Sequence, residues 1–305
     1  MTRNAPAKLN LGLRVLRRRA DGYHDLLTTF LAVDWTDRLT IAPAKTIGDI
    51  APDTMTCSEP SIPADDSNLC MRAVGALRAW ARESAGVSAL TPLHIYLEKH
   101  IPSGAGLGGG SSDAATTLRA AAELWNLDIP DDDLFSIAVR LGADVPFFLD
   151  PKPKLATGIG DRLRPLTARP GLPVEHVLIA VPDVHVSTAE AYAGVTPRSP
   201  VDDAADGHSV PESGGRRLAA AFVSTDPAVW RRDLVNDFED SVIRRHPVIG
   251  RVKEDMYAAD ALYASMSGSG SAVFGIFATD EKAAAAESRL RSIDGLTMKR
   301  VRAIT

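Results

Sequence analysis

Between residues 102 and 113 the chain reads Pro102-Ser-Gly104-Ala-Gly106-Leu-Gly108-Gly109-Gly110-Ser111-Ser112-Asp113. Five of the seven residues from 104 to 110 are glycine, which is hard to justify in a plain connector. The run falls between an expected strand at 93–99 and an expected helix from about Ser112 to Trp125. Glycines let backbone N–H groups approach phosphates without side-chain obstruction. The start of a helix adds unpaired donors and a favourable dipole. Ser111 or Ser112 is the expected helix cap, with Asp113 in the first turn complementing the positive helix end.

Two phosphate-binding motifs match only in part. Gly104-x-Gly106-x-x-Gly109 has the spacing of a dinucleotide fingerprint, which requires a second strand ending in an acidic residue about 20 positions on. Asp131–Asp133 stand near that distance, but they open a helix and no strand intervenes. That excludes a nicotinamide oxidoreductase. Gly104-x-x-x-x-Gly109 also resembles the start of a Walker A loop, yet Gly110-Ser111 follows where the lysine belongs. A cation must therefore come from elsewhere, from Mg²⁺ and a distant lysine.

Composition narrows the remaining classes. The 34 Lys and Arg against 39 Asp and Glu give a formal charge of −5, a poor basis for binding nucleic acid. Hydrophobic residues make up 45%, enough for a substantial core. Cys57 and Cys70 are the only cysteines, which suggests a reducing, cytoplasmic setting. The seven histidines form no metal-ligand spacing. No apolar run approaches a membrane span, and the N-terminus leaves no room for a signal peptide before the first expected strand.

Residues 7–15 alternate: Leu9, Leu11, Leu13 and Val15 on one face, Lys8, Asn10, Gly12 and Arg14 on the other, a half-buried strand. Strands are also expected at 38–42 and 93–99, and helices at 68–84 and 131–141. Residues 43–66 read as loop with one short strand. In the second half the order is strand (177–182), helices (217–222 and, with breaks, 227–259), strands (262–266 and 272–277) around Ser267-Gly-Ser-Gly270, helix (281–293) and strand (297–303). This is a split βαβ arrangement of ferredoxin-like type. Residues 196–215, rich in Pro, Asp, Ser and Gly, read as an excursion within it.

Pro102-x-x-x-Gly106-Leu-Gly-Gly-Gly-Ser-Ser-Asp-Ala-Ala115 resembles the ATP loop of the GHMP kinases, a family that includes galactokinase, homoserine kinase and mevalonate kinase. Pro6-Ala-Lys-Leu-Asn-Leu11 resembles the family's N-terminal motif and Ser267-Gly-Ser-Gly270 its C-terminal glycine motif. The resemblance implies an α+β fold with a ribosomal-S5-like domain at 1–160 and a ferredoxin-like domain at 161–305, the active site between them. It implies ATP and Mg²⁺, small-molecule substrates, and a monomer or homodimer. Arg19-Ala-Asp-Gly-Tyr-His24, Leu141-Gly-Ala-Asp-Val-Pro-Phe147 and Asn236-Asp-Phe-Glu239 resemble one branch. Its acceptor is a cytidine-diphosphate-linked methylerythritol, phosphorylated at the 2-hydroxyl in the non-mevalonate isoprenoid route. Asp150-Pro-Lys-Pro-Lys154 departs from the family's usual Gly-Gly pair, although Gly158 and Gly160 downstream fit.

Carried onto this sequence, the resemblance makes Asp144 the carboxylate that orients the acceptor hydroxyl and takes its proton, sheltered by apolar neighbours. Lys8 pairs with it and with the transferring phosphate. Asn10 bonds the acceptor near its hydroxyl. Tyr23 and His24 form the cytidine site, with Tyr192 the opposite face. Asn68 and Lys99 resemble adenine-pocket positions. Pro102, Gly104, Gly106, Leu107, Gly108, Gly109 and Gly110 form the phosphate loop. Ser111 and Ser112 touch phosphate or Mg²⁺, or only cap the helix, and no residue is assigned to the metal. Gly268–Gly270 either approach substrate or make a tight hairpin. The rival readings are another kinase of the family, acting on homoserine, mevalonate or a sugar, and an ATP-binding module without catalysis.

Overall fold

The computed structural model describes residues 1–44, 52–87, 89–167, 169–196 and 210–305. The chain divides into two compact units, and the long strands β1 (Thr2–Arg18) and β2 (His24–Pro43) contribute to both.

The first unit comprises Met1–Ala7, Trp35–Ile101 and Gly108–Asp150. β3 (Thr54–Cys57) runs parallel to β4 (Leu93–Glu98), and β4 pairs antiparallel with the end of β2, Arg38 opposite Glu98 and Pro43 opposite Leu93. Along β4, Leu93, Ile95 and Leu97 are buried, the two-residue period of a strand with one covered face. α1 (Leu69–Ser84) buries Cys70, Met71, Ala73, Val74, Leu77 and Ala81. It packs on α2 (Gly109–Leu124), whose buried face is mostly small: Ala114, Ala115, Thr117, Leu118, Ala120 and Ala121. α3 (Asp131–Leu141) and α4 (Val145–Leu149) complete the unit. Trp80 Nε1 donates to Asp133 of α3 at 2.9 Å.

The second unit comprises Lys8–Asp34, Pro102–Leu107 and Pro151–Thr305. β5 (Lys154–Thr157) pairs antiparallel with β2 and with β6 (Arg162–Pro165). β7 (Val177–Pro182), α5 (Thr188–Ala193), α6 (Val210–Val223), α7 (Pro227–Asp233), α8 (Glu239–Arg245) and α9 (Pro247–Ala258) come next. They are followed by β8 (Tyr263–Met266), β9 (Val273–Ile276), α10 (Asp280–Leu290), β10 (Leu296–Val301) and β11 (Ala303–Ile304). The sheet order β10-β7-β9-β8 is antiparallel throughout. With strands numbered in chain order this is 4-1-3-2, the ferredoxin-like arrangement the sequence pattern implies. All six residues of β7 are buried, as its central place requires. α9 and α10 cover the sheet through Val252, Met256, Ala283, Ala286 and Leu290.

Four expectations need correction. β1 is not half-buried. It is covered from Ala7 to Leu16, because its polar face meets the second unit's own C-terminal segments: Gly12 lies against Leu234, and Arg14 pairs with Asp237 at 3.3 Å. The strand at 38–42 is the end of a 20-residue strand. Residues 24–33 carry no alternation that would reveal it, because both faces are largely buried. α2 starts at Gly109, so neither Ser111 nor Ser112 is its cap and Asp113 is not in its first turn. Within 196–215, residues 197–209 lie outside the described residues, and α6 already begins at Val210. The departure at 150–154 is a short link from α4 into β5. Among the described residues no helix is long and apolar enough to cross a membrane.

Candidate active site

In the second unit three sequence-distant motifs meet. The backbone N–H of Lys8 donates to Leu107 O at 2.9 Å. Gly106 has φ +79°, and a Cβ there would stand 2.1 Å from Ser267 O. Only glycine fits on both counts. Ser267 Oγ donates to Gly106 O at 3.0 Å and accepts from Asn10 N at 3.3 Å. Ala272 N closes on Ala105 O at 3.0 Å. The N-terminal strand, the first half of the glycine loop and the Ser267–Gly270 turn thus form one hydrogen-bonded cluster. Gly104 also takes a left-handed φ, +69°, while Pro102 precedes it half-buried.

Lys8 is 4% exposed. Its Nζ donates to Asn10 Oδ1 at 2.6 Å and lies 5.3 Å from the centre of the Phe30 ring. The side chains share a strand face, as two-residue spacing requires. Asn10 Nδ2 donates to Thr28 Oγ1 at 3.0 Å, and Thr28 in turn donates to Gly12 O at 2.6 Å. Asn10 is therefore held at both ends of its amide. Thr28 and the Ser267 hydroxyl went unnoticed in the sequence, because their partners lie up to 257 residues away.

The Asn236–Glu239 motif holds the Ser267 turn. Asn236 Nδ2 donates to Met266 O at 2.7 Å and to Gly268 O at 2.8 Å, and its Oδ1 accepts from Phe238 N. Glu239 Oε1 accepts from Met266 N at 2.7 Å and from Ser265 Oγ at 3.0 Å; Lys253 donates to its other oxygen at 2.5 Å. Asp237 accepts from Val15 N at 2.9 Å and from Arg14. The motif was visible in the sequence, but its work as a clamp on β1 and the turn was not.

The second half of the glycine loop lies in the first unit. Gly108, at φ +70°, is the residue before α2, and no side chain caps that helix. The first N–H groups of α2 follow at Gly109, Gly110 and Ser111, where a helix end has donors without intrahelical acceptors. Below them is a buried ionic triad. Lys99 Nζ is 2.5 Å from Asp37 Oδ2 and 3.0 Å from Asp113 Oδ2. A Cβ on Gly109 would stand 3.1 Å from that ammonium. Asp37 Oδ1 also accepts from His100 N and Ile101 N, at 2.6 and 2.8 Å. Burial, then the charge of Asp37, outweigh Lys99 and push the Asp113 carboxyl up to about 7. Burial pulls Lys99 down, but the two carboxylates, Asp113 first, raise it overall. Ser112 Oγ and Asp113 Oδ1 are buried without a hydrogen-bond partner.

Lys99, expected on the adenine side, is committed to this triad. Asn68 caps α1: its Oδ1 accepts from Cys70 N at 2.9 Å while Nδ2 donates to Pro63 O at 2.8 Å. Asp144 is half-buried rather than sheltered. It occupies the N-cap position of α4, yet makes no side-chain capping bond to that helix.

In the second unit, His24 stacks on Tyr192 at 4.7 Å between ring centres and 16° between planes. Tyr192 meets Phe238 edge-on at 4.8 Å. Two of the three residues expected at the cytidine site are thus in contact. Tyr23 stands 61% exposed. Burial, and then the positive charge of Arg18, lower the His24 pKa below its usual 6.5.

The profile of the GHMP kinases N terminal domain matches residues 68–150, and that of the GHMP kinases C terminal matches 218–293. The chain is similar to the 4-diphosphocytidyl-2-C-methyl-D-erythritol kinase of Salinibacter ruber (strain DSM 13855 / M31), 42% identical over 297 residues, 96% of this chain and 94% of that one. It is 47% identical over 272 residues to the protein of the same name from Chlorobium phaeobacteroides (strain BS1), 89% of this chain and 87% of that one. A crystal structure of 4-(cytidine 5'-diphospho)-2C-methyl-D-erythritol kinase superposes with a TM-score of 0.72 at 34% identity, covering 99% of each chain.

Proposed function

We propose, since this chain belongs to the 4-diphosphocytidyl-2-C-methyl-D-erythritol kinases of the GHMP kinase family, that it transfers the γ-phosphoryl group of ATP to the 2-hydroxyl of the methylerythritol unit, giving the 2-phosphate and ADP. The observation that carries the reading is the cluster in the second unit. There the buried Lys8 bonds Leu107 of the glycine loop through its backbone N–H, and the buried Asn10 is joined to Gly106 through Ser267.

The division of labour follows from the chemistry. ATP supplies the phosphoryl group, and Mg²⁺, when bound, would offset the charge of its phosphates. The N–H groups from Gly104 to Gly110 and the start of α2 bind the phosphates. The partnerless Ser112 hydroxyl and its neighbour Ser111 are oxygens suited to phosphate or Mg²⁺. Among the described residues no group of three or more His, Cys, Asp or Glu gathers to cage a metal. That agrees with Mg²⁺, which is held mainly through substrate phosphates and water. Asn68 and Lys99 build the adenine side. Asp144 orients the acceptor hydroxyl and takes its proton. Lys8 stabilises the charge on the transferring group, and Asn10 positions the acceptor. Tyr23, His24 and Tyr192 hold the cytosine. The domains divide at 160/161, and the setting is the cytoplasm.

The test is ADP release with the cytidine acceptor set beside mevalonate and homoserine, with Mg²⁺ and with a chelator. Turnover confined to the cytidine acceptor and lost on chelation is the expected result. A preference for mevalonate or homoserine removes the branch assignment and leaves the family.

A further inference from the structure

Outside the residues of the candidate active site, a cavity of about 880 Å³ opens in the second unit, at the turns joining β1 to β2 and β5 to β6. Four arginines line it, Arg17, Arg18, Arg19 and Arg162, with two aspartates, Asp21 and Asp25. The carboxylates are already spoken for. Arg17 pairs with Asp25 at 2.5 Å, and Arg19 with Asp21 at 2.9 Å and with Asp25 at 3.4 Å. Among the described residues the side chains of Arg18 and Arg162 have no ion pair or hydrogen bond. Asp161, beside Arg162, accepts from Ile159 N. Two arginines without an ion pair therefore line one concave site on a chain whose overall charge is −5. Such a concentration of positive charge costs electrostatic energy unless an anion offsets it. A guanidinium binds phosphate oxygens through a two-pronged fork.

The cavity does not belong to the phosphoryl-transfer end. From Lys8 to Arg18 the strand advances ten residues, roughly 33 Å at the rise of a β-strand. It does adjoin the base stack, because Asp25, which lines the cavity, directly follows His24 in the chain. We propose that this cavity is a second anion site that takes a small diphosphate, gripped by Arg18 and Arg162, and that its occupancy tunes acceptor binding through His24. The effect on the acceptor rests on the function proposed above; the anion site itself does not.

Calorimetric titration with inorganic pyrophosphate tests the site, with saturating ADP and Mg²⁺ held in the cell so that the glycine loop is filled. Saturable binding is expected, weakened at least about tenfold in Arg18→Gln/Arg162→Gln and reduced by added salt. Each single variant should show an intermediate loss, which keeps the test readable if the double variant folds poorly. Steady-state kinetics form the second arm. Pyrophosphate should shift KM for the cytidine acceptor with kcat unchanged in the wild type, and do neither in the double variant. No binding, or equal binding in folded variants, overturns the site. Binding that depends on the two arginines without a change in KM overturns the coupling. A chain that binds pyrophosphate in this way but does not turn over the cytidine acceptor would keep the site and lose the function.

Discussion

Asp144 and His24 are the residues whose chemistry is most exposed to test. Asp144 is half-buried at the start of α4 and spends its carboxylate on no helix cap. If it is the base, Asp144→Asn keeps size and loses proton affinity. Then kcat should fall roughly 10²–10⁴-fold, with both KM values within a few-fold. Near-normal turnover in the variant removes Asp144 from the mechanism. His24 offers a pH test. Its pKa lies below 6.5, through burial first and the charge of Arg18 second, so the imidazole is neutral at pH 7. A neutral ring reading a base edge should give a KM for the cytidine acceptor that is flat above neutral pH. KM should rise only as the ring protonates at lower pH. Arg18→Gln removes a positive neighbour and lets the ring hold its proton more readily, so the rise should begin at higher pH. A rise in the same place in both proteins would mean that Arg18 does not govern His24.

At the level of elements, the glycine loop and the Ser267 turn are held by identifiable contacts, and each can be broken singly. Gly108 sits at φ +70° just before α2, where a β-branched residue is strained. Gly108→Val should weaken ATP binding strongly and leave the cytidine acceptor able to bind, as read by titration of each ligand alone. Asn236 is 2% exposed and donates to two carbonyls of the turn. Asn236→Ala strands both, and one buried unsatisfied group costs about 1–3 kcal/mol. A loss of roughly 2–4 kcal/mol in urea unfolding is therefore expected. A variant as stable as the wild type would show that the clamp contributes nothing. Part of this was legible beforehand. The 4-1-3-2 sheet follows from apolar strands, a Ser-Gly-Ser-Gly hairpin and an Ala-rich helix in a fixed order. Other parts were not. Gly109 and Gly110 are poor helix formers, yet α2 starts there. Residues 24–33 form strand without alternating, because both faces are largely covered. The hydroxyls of Thr28 and Ser267 are ordinary in sequence and acquire partners only when distant strands pair.

Across the whole molecule, the candidate residues fall into two sets by unit. Lys8 and Asn10, and the residues proposed for the cytosine, Tyr23, His24 and Tyr192, belong to the second unit. Asn68, Lys99 and Gly108–Ser112, proposed for the nucleotide, belong to the first, as does Asp144; only residues 102–107 of the phosphate loop are shared out to the second. If the assignments are right, damage to the acceptor set should register in one Michaelis constant and not in the other. Tyr23 is the sharpest probe. At 61% exposure it has little packing to lose, so Tyr23→Ala should leave the fold intact. A stacked base is worth ~1–3 kcal/mol in nucleic-acid-binding proteins, used here as a guide to scale. On that scale the KM for the cytidine acceptor should rise about 5- to 100-fold. His24→Ala removes both a ring nitrogen and the stacking partner of Tyr192. It should relax discrimination against a uridine analogue, because a site that bonds a base edge rejects the wrong base through its own unpaired groups. Neither change should move KM for ATP by more than a few-fold. The measurement is steady-state kinetics with both substrates varied, on wild type and both variants. A rise in KM for ATP with the acceptor unaffected would mean that the two pockets are assigned backwards.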